Sequence, residues 1–206
     1  MNVVDGANHE KCERGIKMED KTKTGITTKS VVLAGMFAAV LAVLAQVAVP
    51  MPTGVSVTLQ TFAVALTGYV LGWKLGTLSV GTYLLLGAVG APVFTGLNGG
   101  LGILFGKSGG FLFGFLFLVI CCGFGIVQKH KLWGGVAALT GLMICHLLGV
   151  LQFAFLANVS FGQAVVLVSL PYLVKDAISL ILAFVAGNVL KKALNAAHIL
   201  TYQENA

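Results

Sequence analysis

The sequence predicts an all-α integral membrane protein, a bundle of six transmembrane helices with both termini on the cytoplasmic side. Hydrophobic residues fill 57% of its 206 positions and charged residues only 10%, where a soluble domain carries about 25% charged residues. Apolar runs of about twenty residues, each enough to cross ~30 Å of hydrocarbon, recur along the chain. More than half of the charged residues lie in the first 29 positions, and most remaining lysines sit at the ends of the apolar runs.

Three segments follow from this pattern: a polar cytoplasmic tail over 1–28, a membrane domain over 29–192 and a cytoplasmic tail over 193–206. The first has mixed charge and the composition of a disordered segment, with Met18 as an alternative start. It lacks the short apolar core and cleavage site of a secretory signal. A net charge of +6 raises the question of nucleic acid, but cations at span ends are explained by membrane topology, so no nucleic-acid partner is expected. Cys12, Cys121, Cys122 and Cys145 have neither C-x-x-C nor metal-ligand spacing, so no metal is expected.

Span 1 runs from about Ser30 to Val49 and stops at Pro50-Met51-Pro52. Ala34, Ala38 and Ala42 recur every four positions with Gly35 and Ala39 beside them. Such a stripe lets another helix approach closely, either within this bundle or from a separate membrane subunit. Span 2 covers about Val57 to Trp73 and span 3 Leu75 to about Phe94, with a tight turn at Gly72–Gly76 between them. Trp73 and Lys74 suit a membrane–water interface.

Residues 95–110, TGLNGGLGILFGKSGG, read as a loop outside the hydrocarbon whose glycines allow backbone to come close to something beneath it. A phosphate-binding loop would need glycine where Leu101 stands. Asn98 is the loop's one amide, a ligand contact or a solvated turn residue, and Lys107 its only charge. Span 4 runs Phe111 to Val127 and span 5 Leu132 to about Leu156. Span 5 holds His146 and Gln152 on different faces; each is expected either to hydrogen-bond a neighbouring helix or to serve the site, and Gln152, nearer the outer end, is the better site candidate. After a loop over Ala157–Gln163, a broken, lid-like start leads into a last helix from about Pro171 to Leu190.

Orientation follows from the lysines. The tail and its junction with span 1 hold Lys11, Arg14, Lys17, Lys21, Lys23 and Lys29, and Lys74, Lys129, Lys131, Lys191 and Lys192 fall on the same side of a six-span bundle. The other side has Lys107 alone. The side rich in Lys and Arg faces the cytoplasm, so the Gly-rich loop and Pro171 face outward.

The candidate site is the last helix. Asp176 is the only acidic residue between Lys29 and Gln203, and Lys175 beside it is the only cation inside a span. A charge at mid-bilayer costs ~3 kcal/mol on insertion scales, so such residues face a cavity, a partner or a substrate. With a helix starting near Pro171, Asp176 lies roughly 7–8 Å deep. As sequence neighbours the two project about 100° apart and are expected to flank a ligand rather than pair. The alternatives are an Asp176–Lys107 strut and a Lys175 side chain that snorkels outward. A membrane enzyme is disfavoured, because His146 and Asp176 are the only embedded acid–base groups and His146 is expected to lie too deep to join Asp176.

TLQTFAV (58–64), YLLLGAVGAPVF (83–94) and GGLGILFGKSGGF (99–111) together resemble the BioY proteins, the biotin-binding S components of energy-coupling factor vitamin transporters. The resemblance covers roughly Val32 to Leu190. It implies six helices with cytoplasmic termini at the cell membrane and a biotin pocket near the outer surface. Docking onto a transmembrane coupling subunit through small residues is also implied, the place for Ala34, Ala38 and Ala42. The resemblance further implies two partner ATPase subunits that use the ATP, so that no cofactor and no enzymatic activity are expected of this chain. The family pattern of proline, aspartate and a lysine three residues later is met at Pro171 and Asp176, but Ser179 stands at the lysine position. The expected assignments are Asp176 with Asn98 or Gln152 on the ureido ring, Lys175 (or Lys107) on the valerate carboxylate, and Phe111 and Tyr172 against the bicyclic ring. A different small vitamin, a membrane enzyme and a structural scaffold are the alternatives.

Overall fold

The computed structural model describes residues 28–127 and 131–197. The expected tail over 1–28 lies almost wholly outside the described residues, as do residues 128–130 and most of the 193–206 tail. Two compact units are present, Met1–Val31 and Val32–Ala206. The described residues of the first are the opening turn of a helix.

Seven helices and one small hairpin make up the described chain. They are α1 (Thr28–Gln46), β1 (Ala48–Val49), β2 (Val57–Thr58), α2 (Gln60–Val89), α3 (Leu101–Leu104), α4 (Gly109–Val127), α5 (Lys131–Ala157), α6 (Phe161–Val168) and α7 (Leu170–Ala196). α1, α2, α5 and α7 are each long and apolar enough to cross a membrane. The outward faces are greasy: Leu85, Val89, Phe155, Val174 and Val189 are all exposed, a surface a water-soluble monomer rarely carries.

Spans 2 and 3 form one helical element, broken at Gly72, whose backbone is non-helical (φ 75°, ψ 179°). That conformation is essentially glycine's alone. A Cβ added at Gly76 would stand 3.4 Å from the Cα of Gly68, so the chain doubles back and the two arms run antiparallel. The expected turn is therefore present, tighter than read and centred on Gly72 itself. Trp73 stacks on Phe124 of α4 at 4.9 Å between ring centroids, and the Lys74 ammonium lies 5.3 Å from the Trp73 ring. These residues mark one end of the bundle.

α4 packs against both α2 and α5, and α7 packs along α2. Leu41, Val64, Val70, Val80, Leu118 and Leu142 meet in the shared core. Leu33, Phe37, Leu41 and Ala45 of α1 belong to that core, and Ala34 and Ala38 are buried with them at 3% exposure. Ala42 packs against the core from a partly buried position. The predicted docking stripe is thus corrected: it follows the inward face of α1 and serves the protein's own packing. The exposed small residues of α1 are Gly35 and Ala39.

Other boundaries also moved. The 95–110 segment contains a helical turn, α3, and its last two glycines already belong to α4. The lid-like start before Pro171 is a separate helix, α6, whose capping box joins Ser160 and Gln163. Pro171 sits in the first turn of α7, where a missing N–H costs nothing. α7 continues to Ala196, past the expected stop at Lys191 and Lys192.

Candidate functional site

Opposite the Trp73 end, the β1–β2 hairpin, the 94–108 loop and the N-terminal parts of α2, α4 and α7 enclose a cavity of about 190 Å³. Asn98, Phe111, Tyr172, Lys175 and Asp176, five of the six predicted binding residues, line it. Polar lining comes also from Thr58, Gln60 and Thr61, and aromatic lining from Phe94 and Phe115.

Asp176 is 5% exposed and sits at the polar pole of the cavity. Its Oδ1 pairs with the Lys175 ammonium, and its Oδ2 lies 3.2 Å from His146 Nε2 on α5. Two expectations are corrected here and one alternative falls. Lys175 and Asp176 do pair, because the flexible four-carbon lysine stem turns back over the 100° that separates the two Cβ atoms. Asp176 is not strutted by Lys107. His146 is at the level of Asp176, since 15 residues into α5 is about 22 Å from one end and six residues into α7 about 9 Å from the other. Those depths sum to one bilayer thickness.

The Lys175 ammonium also donates to the Thr58 carbonyl at 2.7 Å, and the Tyr172 hydroxyl donates to the Val55 carbonyl at 2.5 Å. α7 thereby holds both the hairpin loop and its second strand over the cavity. Asn98 is exposed at the rim, where its amide donates to the Thr95 carbonyl at 2.9 Å. The loop bearing it is fastened by Gln46 at the end of α1. That side chain donates to the Phe94 carbonyl at 3.1 Å and accepts from the Leu97 N–H at 2.9 Å.

Gln152, the sixth predicted residue, is not among the cavity-lining residues. Its amide donates to the carbonyls of Leu104 at 3.0 Å and Gly106 at 2.8 Å. It holds the Gly-rich loop through the last carbonyl of α3 and through the Gly106 carbonyl, which also accepts from the Gly109 N–H at 3.0 Å; the C-terminal carbonyl of a helix has no donor within the helix. Residues the sequence reading passed over are Gln60, Thr58 and Thr61, although the polar run TLQT at the start of an apolar span was a visible signal. Gln60 accepts from the Thr58 hydroxyl at 2.9 Å and donates to the Tyr83 hydroxyl at 2.7 Å.

Known proteins match this architecture. The family model described as the BioY family matches residues 18–196. The biotin transporter BioY of Thermotoga maritima is 38% identical over 165 residues, covering 80% of this chain and 96% of that protein. The probable biotin transporter BioY of Pyrococcus horikoshii is 38% identical over 148 residues, 72% of this chain and 87% of that one. Among solved structures, the S-component for biotin from an ECF-type ABC transporter superposes with a TM-score of 0.73 at 27% identity. That match covers 82% of this chain and 95% of the other. With the match running through the hairpin, the Gly-rich loop and the helix that carries Asp176, this chain belongs to the BioY family.

Proposed function

We propose that this chain is the substrate-binding component of a biotin importer, not an enzyme. It captures biotin from outside the cell membrane for import driven by ATP at partner subunits. The observation that carries this reading is the walled cavity with a single, net-neutral ion pair at its pole. Six crossings, with cytoplasmic termini, come from α1, the two antiparallel arms of α2, α4, α5 and α7. The lysine asymmetry turns the cavity outward. A transmembrane coupling subunit and two ATPases complete the machine, and this chain itself needs no cofactor.

The geometry refines the assignment of roles. The ureido ring is neutral, with two N–H donors and one carbonyl acceptor, and the valerate carboxylate lies at the far end of a methylene chain. Lys175 and Asp176 form one pole, so they suit one end of the ligand. Asp176 accepts ureido N–H groups, while an ammonium with three donors, two already engaged, has one left for the ureido carbonyl. Phe111, Phe115 and Tyr172 pack the fused rings, and Asn98 closes the rim. The carboxylate then points to the mouth. There the Lys107 side chain passes 3.7 Å from where a Gly54 Cβ would stand. Charge-assisted hydrogen bonds are about twice as strong as neutral ones, which suits capture of a scarce vitamin.

Titration calorimetry on the purified full chain tests the reading. Biotin should bind tightly and Asp176→Ala should weaken it by about tenfold or more. Binding of another vitamin in its place, or an Asp176→Ala chain as tight as the parent, would overturn it.

A further inference from the structure

We infer that His146 is a positioning residue for the site: it acts through Asp176, locking the carboxylate in the one rotamer that presents it to the ligand. The inference rests on the biotin reading only for the ligand used to measure it. His146 is 4% exposed and does not line the cavity. Its ring lies behind Asp176, edge-on to Phe111 at 5.7 Å between centroids, so one wall of the cavity also fixes the tilt of the imidazole.

The hydrogen-bond chemistry allows one arrangement of the neutral ring. A carboxylate only accepts, so Nε2, 3.2 Å from Asp176 Oδ2, must carry the proton. Nδ1 is then a bare acceptor, and Ser169 Oγ, 3.1 Å away, supplies the O–H. Ser169 is 9% exposed and stands where α6 ends and α7 begins. The chain Ser169 to His146 to Asp176 therefore ties the start of α7 to the carboxylate six to seven residues further along the same helix. A neighbouring helix supplies the bridge.

The charged and titratable groups around the ring support this role. Asp176 and Lys175 face it from α7, and the Cys145 thiol is its neighbour on α5, directed at the Phe111 carbonyl 3.5 Å away. With a neutral imidazole the cluster of Lys175, Asp176 and His146 has no net charge. Lys175 pairs with Oδ1 and His146 with Oδ2, and the Thr61 side chain adds a further hydrogen bond to the carboxylate. Without His146, the carboxylate loses the donor behind the cavity wall and is held only by Lys175 and Thr61 from α7 and α2. The ligand would then bear the ordering cost.

Two measurements test the assignment. In the unliganded full chain in lipid nanodiscs, labelled with ¹⁵N-histidine, the signal removed by His146→Gln should be that of an Nε2-protonated ring with a bare Nδ1. A ring protonated on Nδ1 alone would overturn the assignment. By calorimetry, His146→Gln, which keeps an N–H donor, should bind biotin within about threefold of the parent, while His146→Leu loses about tenfold or more. The loss should be non-additive, with His146→Leu/Asp176→Asn no weaker than Asp176→Asn alone, because a residue that acts through another adds nothing once that other is gone. Additive losses, or a His146→Leu chain as tight as the parent, would show that His146 only fills space. A parent that binds no biotin would refute the functional reading instead, and the tautomer would still decide the role of His146.

Discussion

Gln60 and Tyr83 stand 23 positions apart in one helical element and meet through a 2.7 Å hydrogen bond. In a straight helix they would be about 34 Å apart. Their contact exists because the chain reverses at Gly72. It ties the two arms of α2 together at the cavity end, where Gln60 also takes the Thr58 hydroxyl.

The reversal depends on a backbone conformation that other residues do not readily adopt. Gly72→Ala should therefore lower stability by about 1–3 kcal/mol, although no atom lies within 4 Å of the position its Cβ would take. Thermal unfolding in detergent measures this. An unchanged midpoint would mean that the strain is absent.

Tyr172→Phe removes the hydroxyl that holds Val55 while keeping the ring that walls the cavity. Residues 50–56 should exchange backbone hydrogens faster, and biotin should leave several-fold faster, on the order of the loss of one buried hydrogen bond. Hydrogen exchange with and without biotin, together with a dissociation-rate measurement, checks both. Exchange identical to the parent would show that the Lys175–Thr58 bond alone secures the hairpin.

Orientation is open to direct labelling in intact cells. A cysteine at Lys107 should react with an impermeant maleimide from outside, and a cysteine at Lys74 only after permeabilisation, in a background where the native cysteines are replaced by alanine. The reverse pattern would turn the cavity toward the cytosol and remove the basis for uptake.

Much of this was readable along the chain. Lys175 and Asp176 stood out as charges in an apolar span, and Phe111, Tyr172 and Asn98 proved to share their cavity. The tight turn expected at Gly72–Gly76 is present as a break at Gly72. What was misread involved relations between helices. Gln152 is a site candidate or a structural donor from sequence alone, because an amide in a span announces only that it needs a partner; its bonds to Leu104 and Gly106 make it the latter. Ala34, Ala38 and Ala42 spaced themselves for close packing without saying which helix would be packed. His146 looks too deep in its own span to reach Asp176, yet it meets Asp176 because α5 and α7 enter from opposite ends and their depths converge.

Hydropathy and charge act residue by residue against the bilayer, so the sequence alone determined which segments are apolar, which end of each holds the cations and where an ionised side chain had to be accommodated. The partners of those polar groups were decided by tertiary structure. A hydrogen bond from His146 to Asp176, or from Tyr172 to Val55, requires two helices or a helix and a loop to arrive at one rotation and one depth. That rotation is set by packing summed over many side chains, which no single stretch of the chain contains.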